Sequence, residues 1–264
     1  MISNENSKKL AVLVLMFVFC EFIYRQRITK YIFSKNFLVV SLFGNSILDK
    51  NISFGVLNFA IAVVVLLISK YIFKEELTSI DSSDKISFKK STIITFLILI
   101  LSMIVYCLLT YIIYDVFGTS VNSLTAIYVT EMYMQNKYVY VVFVFFTVFF
   151  EEVVYRKLLF GYLYDLHSGC NRYVRFITSL LVSAIIFGAI HDGALSSGMI
   201  YYVIAGISFT VVYYYTKRIS AAIAIHFLYD VCLQSIMMYI YSQWVNFRRS
   251  ICFILINLLL AKVI

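Results

Sequence analysis

The sequence predicts an all-α fold, a polytopic transmembrane bundle of about eight helices, from its composition and the length of its apolar runs. Of 264 residues, 62% are hydrophobic and 14% charged, and the mean hydropathy is +0.90, a balance that cannot cover a water-facing surface. The runs at 54–73, 91–117, 138–150 and 198–215 are long enough, alone or with their neighbours, to cross ~30 Å of hydrocarbon as helices. An outer-membrane barrel would need short, strictly alternating segments, whereas these runs are apolar on every face.

Helices are expected near 10–25, 36–48 (short), 54–73, 91–117, 138–165, 173–191, 198–216, 219–241 and 247–264. The run at 10–19 follows Lys8 and Lys9 as a secretory signal would, but no small-residue cleavage site precedes Glu21 and Arg25, so it reads as a retained anchor. The segment 74–90 mixes Lys74, Lys85, Lys89 and Lys90 with Asp81, Asp84 and serines, which marks a polar cytoplasmic loop. The stretch 118–137 has almost no basic residues and is expected outside. Continued alternation puts Arg172, Arg175, Lys217 and Arg218 inside, as the charge rule asks, while Arg248 and Arg249 break it. Three regions result: N-terminal helices without motifs over 1–135, a core carrying the chemistry over 136–235, and a C-terminal helix over 236–264. With no proline, helix breaks fall to glycines such as Gly188, Gly193 and Gly198.

The net charge of +8 sits in short clusters between spans, which fits lipid headgroups and excludes a nucleic-acid stripe. Cys20, Cys107, Cys170, Cys232 and Cys252 are scattered, without CxxC or metal-type spacing, and read as reduced, buried thiols.

Ionisable groups inside spans cost roughly 3 kcal/mol each on the lenient insertion scale, so their clustering asks for a function. EEVVYR follows an apolar run directly. On a helix Glu152 and Arg156 are spaced to pair, which turns Glu151 about 100° away and leaves it for proton transfer as a general base. A structural ion pair with one spare acid is the bland alternative. His191 ends the apolar run 177–190, and His226 and Asp230 are spaced i to i+4 on a later helix. A lone membrane histidine is more often an interhelical hydrogen-bonder, yet two of the three histidines here lie inside spans. Ala184 and Gly188, and Ala221, Ala222 and Ala224, allow close helix contact beside them. Asp230 can orient the imidazole of His226 or, when protonated, act toward an oxyanion. His167 lies in a polar loop and receives no role.

The order EExxxR, FxxxH, HxxxD on three apolar helices resembles the CAAX protease and bacteriocin-processing family, also called Abi, which includes the type II CAAX prenyl endopeptidases. The resemblance covers roughly residues 145–231 and extends to LLFGYLYDL, SLLVSAIIFG and IAGISFTVVYYYTKRISAAIAIH. It departs at Tyr155, Lys157 and Asp230, where that family commonly has Phe, Gly and Asn. The resemblance implies an intramembrane endopeptidase in which the paired glutamates activate water while Arg156 positions them and His191, His226 and Asp230 polarise the carbonyl. The residues leave open which glutamate is the base. Metal-free catalysis is expected; zinc on His191 and His226 is the alternative, without HExxH to support it. The implied partners are membrane lipid and a peptide or membrane-protein substrate. The low-proline, Lys- and Ile-rich composition suggests a bacterial plasma membrane, where the role would be peptide maturation or bacteriocin self-immunity. A non-catalytic scaffold or immunity protein is the competing class; a transporter would need two related halves, which are absent. One mismatch stands: simple alternation puts His191 and His226 at depths ~15 Å apart.

Overall fold

A helix is the form in which an apolar segment satisfies every backbone group in lipid, and the chain follows that rule throughout its spans. The computed structural model describes residues 11–12, 14–21, 47–72, 78–113 and 123–260. The elements are α1 (Ile47–Ile72), α2 (Phe88–Tyr111), α3 (Leu124–Gln135), α4 (Lys137–Glu152), a π-helical segment Val153–Phe160, α5 (Gly161–Leu166), α6 (Arg172–Asp192), α7 (Met199–Thr216) and α8 (Ile219–Leu260). Five stretches are long and apolar enough to cross a membrane: Phe88–Tyr111, Lys137–Leu166, Arg172–Asp192, Met199–Thr216 and Ile219–Ile240. The fold class is the expected all-α membrane bundle. The expected short span lies, up to residue 46, outside the described residues.

Polar side chains set the helix starts. Ser87 caps α2, Ser123 caps α3, and Asn171 caps α6 through the backbone N–H of Tyr173. Asn136, extended at φ −161°, separates α3 from α4 and accepts from the N–H groups of Tyr138 and Val139. Thus part of the outward stretch forms a helix, α3, that was not among the expected ones.

The α6–α7 pair packs closely because its contact residues are small. A side chain on Gly188 would meet Met199 O at 2.9 Å, and one on Gly206 would meet Ala184 Cα at 3.4 Å. Of the alanines before His226, Ala221 and Ala222 are buried but Ala224 is exposed. The outer face of α2 presents Phe96, Leu97, Ile100, Leu101 and Ile104, a surface suited to acyl chains. The expected separate C-terminal helix is continuous with its predecessor in α8, since no glycine or proline interrupts 219–260.

Two expectations need correction. The four described thiols are unpaired, but only Cys20 is buried among them; Cys107 and Cys170 are exposed and Cys232 is intermediate. A cysteine inside an apolar run can face lipid as readily as protein. The polar loop around 74–90 is also not wholly in water: Thr78 and Ile80 are each 1% exposed and Asp81 6%. Lys157 donates to Asp81 at 2.8 Å and Tyr213 donates to it at 2.6 Å, while Ser79 and Arg175 both bond to Asp165. The loop therefore plugs one end of the bundle. At that end burial pushes the Lys217 ammonium below its ordinary range; Tyr214 opposes the shift, and Arg172 and Arg175 add to it.

Candidate active site

Glu151 and Glu152 close α4, and both are buried, at 4% and 0% exposed. The chain then widens into the π-helical segment, a rare local geometry that often accompanies function. Within it Arg156 turns back so that its Nε lies 2.9 Å from Glu152 Oε2. The guanidinium is fully buried and lies over the rings of Phe187 and Phe209, at 4.9 and 5.5 Å from their centroids.

Glu152 Oε1 meets Nδ1 of His226 at 2.7 Å. Phe209 stacks on that imidazole at 4.2 Å and 23°, fixing its plane. The other ring nitrogen, Nε2, faces Asp230 Oδ2 at 3.4 Å and Glu151 Oε2 at 3.8 Å. The second imidazole is held in the same manner. His191 Nδ1 donates to Phe187 O at 2.8 Å, its Nε2 lies 3.3 Å from Glu151 Oε1, and Tyr202 stacks on it at 5.1 Å. A carbonyl only accepts, so Nδ1 of His191 carries a proton, and its Nε2 faces the Glu151 carboxylate. Glu151 thus presents one oxygen to each histidine.

The depth mismatch is resolved here. The rings sit at two levels of α7, one on Tyr202 and the other on Phe209, seven residues or ~10 Å apart, and the Glu151 side chain spans that gap. The chain end after His191 is pinned beside it: Thr125 donates to His191 O at 2.5 Å, Ser123 to Asp192 at 2.6 Å and Ser196 to Asp192 at 3.0 Å.

A cavity of about 510 Å³ opens beside this cluster. Glu151, His191, His226 and Asp230 line it together with aromatic walls that include Tyr106, Phe143 and Tyr229, whereas Glu152 and Arg156 stand behind. All six expected site residues are therefore brought together, in two layers. His167, left without a role, donates Nδ1–H to Leu163 O and finishes α5. Zinc would need three donors converging on one point, and no such group of His, Cys, Asp or Glu occurs among the described residues. Sequence reasoning missed Asp81, whose signal was the loop's split charge, and the ring partners Tyr202 and Phe209, which carry no polar signal.

Residues 133–232 match the family model of the Type II CAAX prenyl endopeptidase Rce1-like proteins. Over those residues the chain is similar to that family. The match covers the resemblance read from the motifs and extends it to the cap of α4. The same core is also similar to the membrane-embedded CAAX protease MroQ of Staphylococcus aureus (strain USA300), at 38% identity over 78 residues. That stretch spans 30% of this chain and 30% of the relative. No solved structure matches.

Proposed function

We propose that the protein is an intramembrane endopeptidase that cuts a membrane-associated peptide or protein, with Glu151 as the base that activates water. One observation carries this reading: of the two glutamates it is Glu151 that lines the cavity, between two imidazole Nε2 atoms, while Glu152 is turned away onto Arg156 and His226. A carboxylate placed there can take a proton from a water in the cavity as that water attacks.

In the reaction, Glu151 removes a proton from water as its oxygen adds to the carbonyl carbon. The carbonyl π electrons move to oxygen, and that oxyanion is stabilised by the Nε2–H of a His226 imidazolium whose Nδ1–H is paired with the Glu152 carboxylate, with Asp230 beside it. Collapse breaks the C–N bond, and the proton collected by Glu151 passes to the leaving amine. His191 keeps the carboxylate oriented through the contact of its Nε2 with Oε1. No metal enters this scheme.

Similarity to the Rce1-like family and to the staphylococcal protease supports peptide hydrolysis as the chemistry. The composition supports a bacterial setting, and there the substrate would be a leader or signal-type peptide, in maturation or in bacteriocin self-immunity. The test is cleavage of a quenched fluorogenic library of apolar peptides by purified protein in liposomes. Wild-type protein should cut, insensitive to chelators, and Glu151→Gln should lose at least ~10²-fold in rate while accumulating normally. Equal activity in the variant, or immunity retained without cleavage, would favour the non-catalytic scaffold.

A further inference from the structure

One stripe of α4 forms a long wall of the cavity: Tyr140, Phe143, Val144, Thr147, Val148 and Glu151 all line it. From Tyr140 to Glu151 this stripe rises about 16 Å at 1.5 Å per residue, the reach of about five residues of extended peptide. Between its two ends Thr147 is the single polar side chain.

The other threonines of the spans turn back on the carbonyl one turn earlier. Thr95 does so on Ser91 at 2.8 Å, Thr110 on Tyr106 at 2.9 Å, and Thr210 on Gly206 at 2.7 Å. The hydroxyl of Thr147 is buried and makes no such bond, nor any other among the described residues. Asn58 behaves likewise. It is 0% exposed, and neither its amide nitrogen nor its amide oxygen has a protein partner among the described residues.

Packing brings the two to one level. Helices α1 and α4 run parallel, with Phe54 stacked on Phe143 at 6.2 Å and Phe59 against Phe146 and Phe149 at 5.3 and 4.7 Å. That register sets Asn58 near the level of Thr147, behind the residues that line the cavity. Buried groups left unbonded cost about 1–3 kcal/mol each, and leucine and valine would fill the same space without that cost. Two such groups at one level, one of them in the cavity wall, are what a ligand with backbone-type donors and acceptors needs.

We propose that Thr147 and Asn58 form a subsite for the peptide backbone of the substrate, one helical turn from Glu151. This rests on Glu151 as the base of a peptidase. One turn of α4 is about 5.4 Å and an extended residue about 3.3 Å, so the peptide unit held there lies about two residues from the bond that is cut. The Asn58 amide can give a hydrogen to a backbone carbonyl or accept from a backbone N–H, and the Thr147 hydroxyl can do either. In an otherwise apolar groove these bonds fix register by position along the chain rather than by side-chain identity.

The probe is the library peptide that wild-type protein cuts best, together with versions N-methylated at one backbone nitrogen at a time. In liposomes, methylation about two residues from the cut should raise KM roughly tenfold for the wild type, the loss of one buried hydrogen bond. Thr147→Val and Asn58→Leu should raise KM for the unmethylated peptide and become indifferent to that methyl group, with Tm unchanged or higher. If Asn58→Leu fails to accumulate, Thr147→Val and Asn58→Ser decide the matter. Full methylation sensitivity in the variants, or unchanged KM with a higher Tm, as loss of a purely structural water site would give, overturns the subsite while leaving the peptidase standing. Absence of any cut by the wild type removes both.

Discussion

Glu152 is held at both ends: its Oε1 lies 2.7 Å from Nδ1 of His226 and its Oε2 lies 2.9 Å from Nε of Arg156. Glu151, one residue earlier, instead lines the cavity. The two acids should therefore fail differently. Glu152→Gln leaves the Arg156 charge buried without its counter-ion, a loss that typically runs to about 3–5 kcal/mol. Thermal unfolding in detergent should show a large fall in Tm for Glu152→Gln and little change for Glu151→Gln, although both lose cleavage. The same fall in both variants would mean that Glu151 is structural as well.

Lys157 directly follows Arg156, and its ammonium is 2.8 Å from Asp81 in a loop far away in sequence. With side chains 11% and 5% exposed, the pair is screened by protein rather than by water. Asp81→Ala should cost about 3–5 kcal/mol by stranding Lys157, whereas Asp81→Leu with Lys157→Met should recover most of that loss. Proteolytic susceptibility of the three proteins in liposomes gives the order. A double variant as fragile as Asp81→Ala would show that Tyr213, which also bonds Asp81, is the more important partner.

Asp230 lies one turn after His226, with Oδ2 3.4 Å from His226 Nε2. Asparagine has the same shape and gives a permanent N–H donor toward the cavity. Asp230→Asn should therefore stay within about tenfold of wild-type kcat, and Asp230→Ala should lose on the order of 10²–10³, the usual effect of removing one oxyanion partner. Equal activities in the two variants would remove Asp230 from the reaction.

Much of the site was legible because the bilayer penalises every intramembrane charge, so Glu151, Glu152, Arg156, His191, His226 and Asp230 announce themselves by position alone. What periodicity could not express was third-dimensional. The segment after Glu152 reads as ordinary helix, yet it is π-helical, and that difference comes from packing, not from residue type. The loop around Asp81 looks water-loving by composition; its burial depends on Lys157, whose partner no local pattern reveals. The role of α3 was hidden in the same way, since Ser123 and Thr125 look like plain loop residues until they bond Asp192 and the backbone of His191.

Gly198 links that last cluster to a measurable outcome. A methyl group there would overlap the Asp192 carboxylate and approach Ser123 Cβ to 3.2 Å. Asp192 already accepts from Ser123 and Ser196, so it cannot retreat without breaking both bonds. Gly198→Ala should thus cost about 1–3 kcal/mol, the usual range for overpacking. It should also lower kcat, because the displaced residue follows His191 directly. Asp192→Ala removes the atoms in conflict, so the double variant should be no less stable than Asp192→Ala alone. Simple addition of the two losses in Tm would place the strain elsewhere, in the turn at Gly193, where φ is +85° and a side chain is not tolerated well.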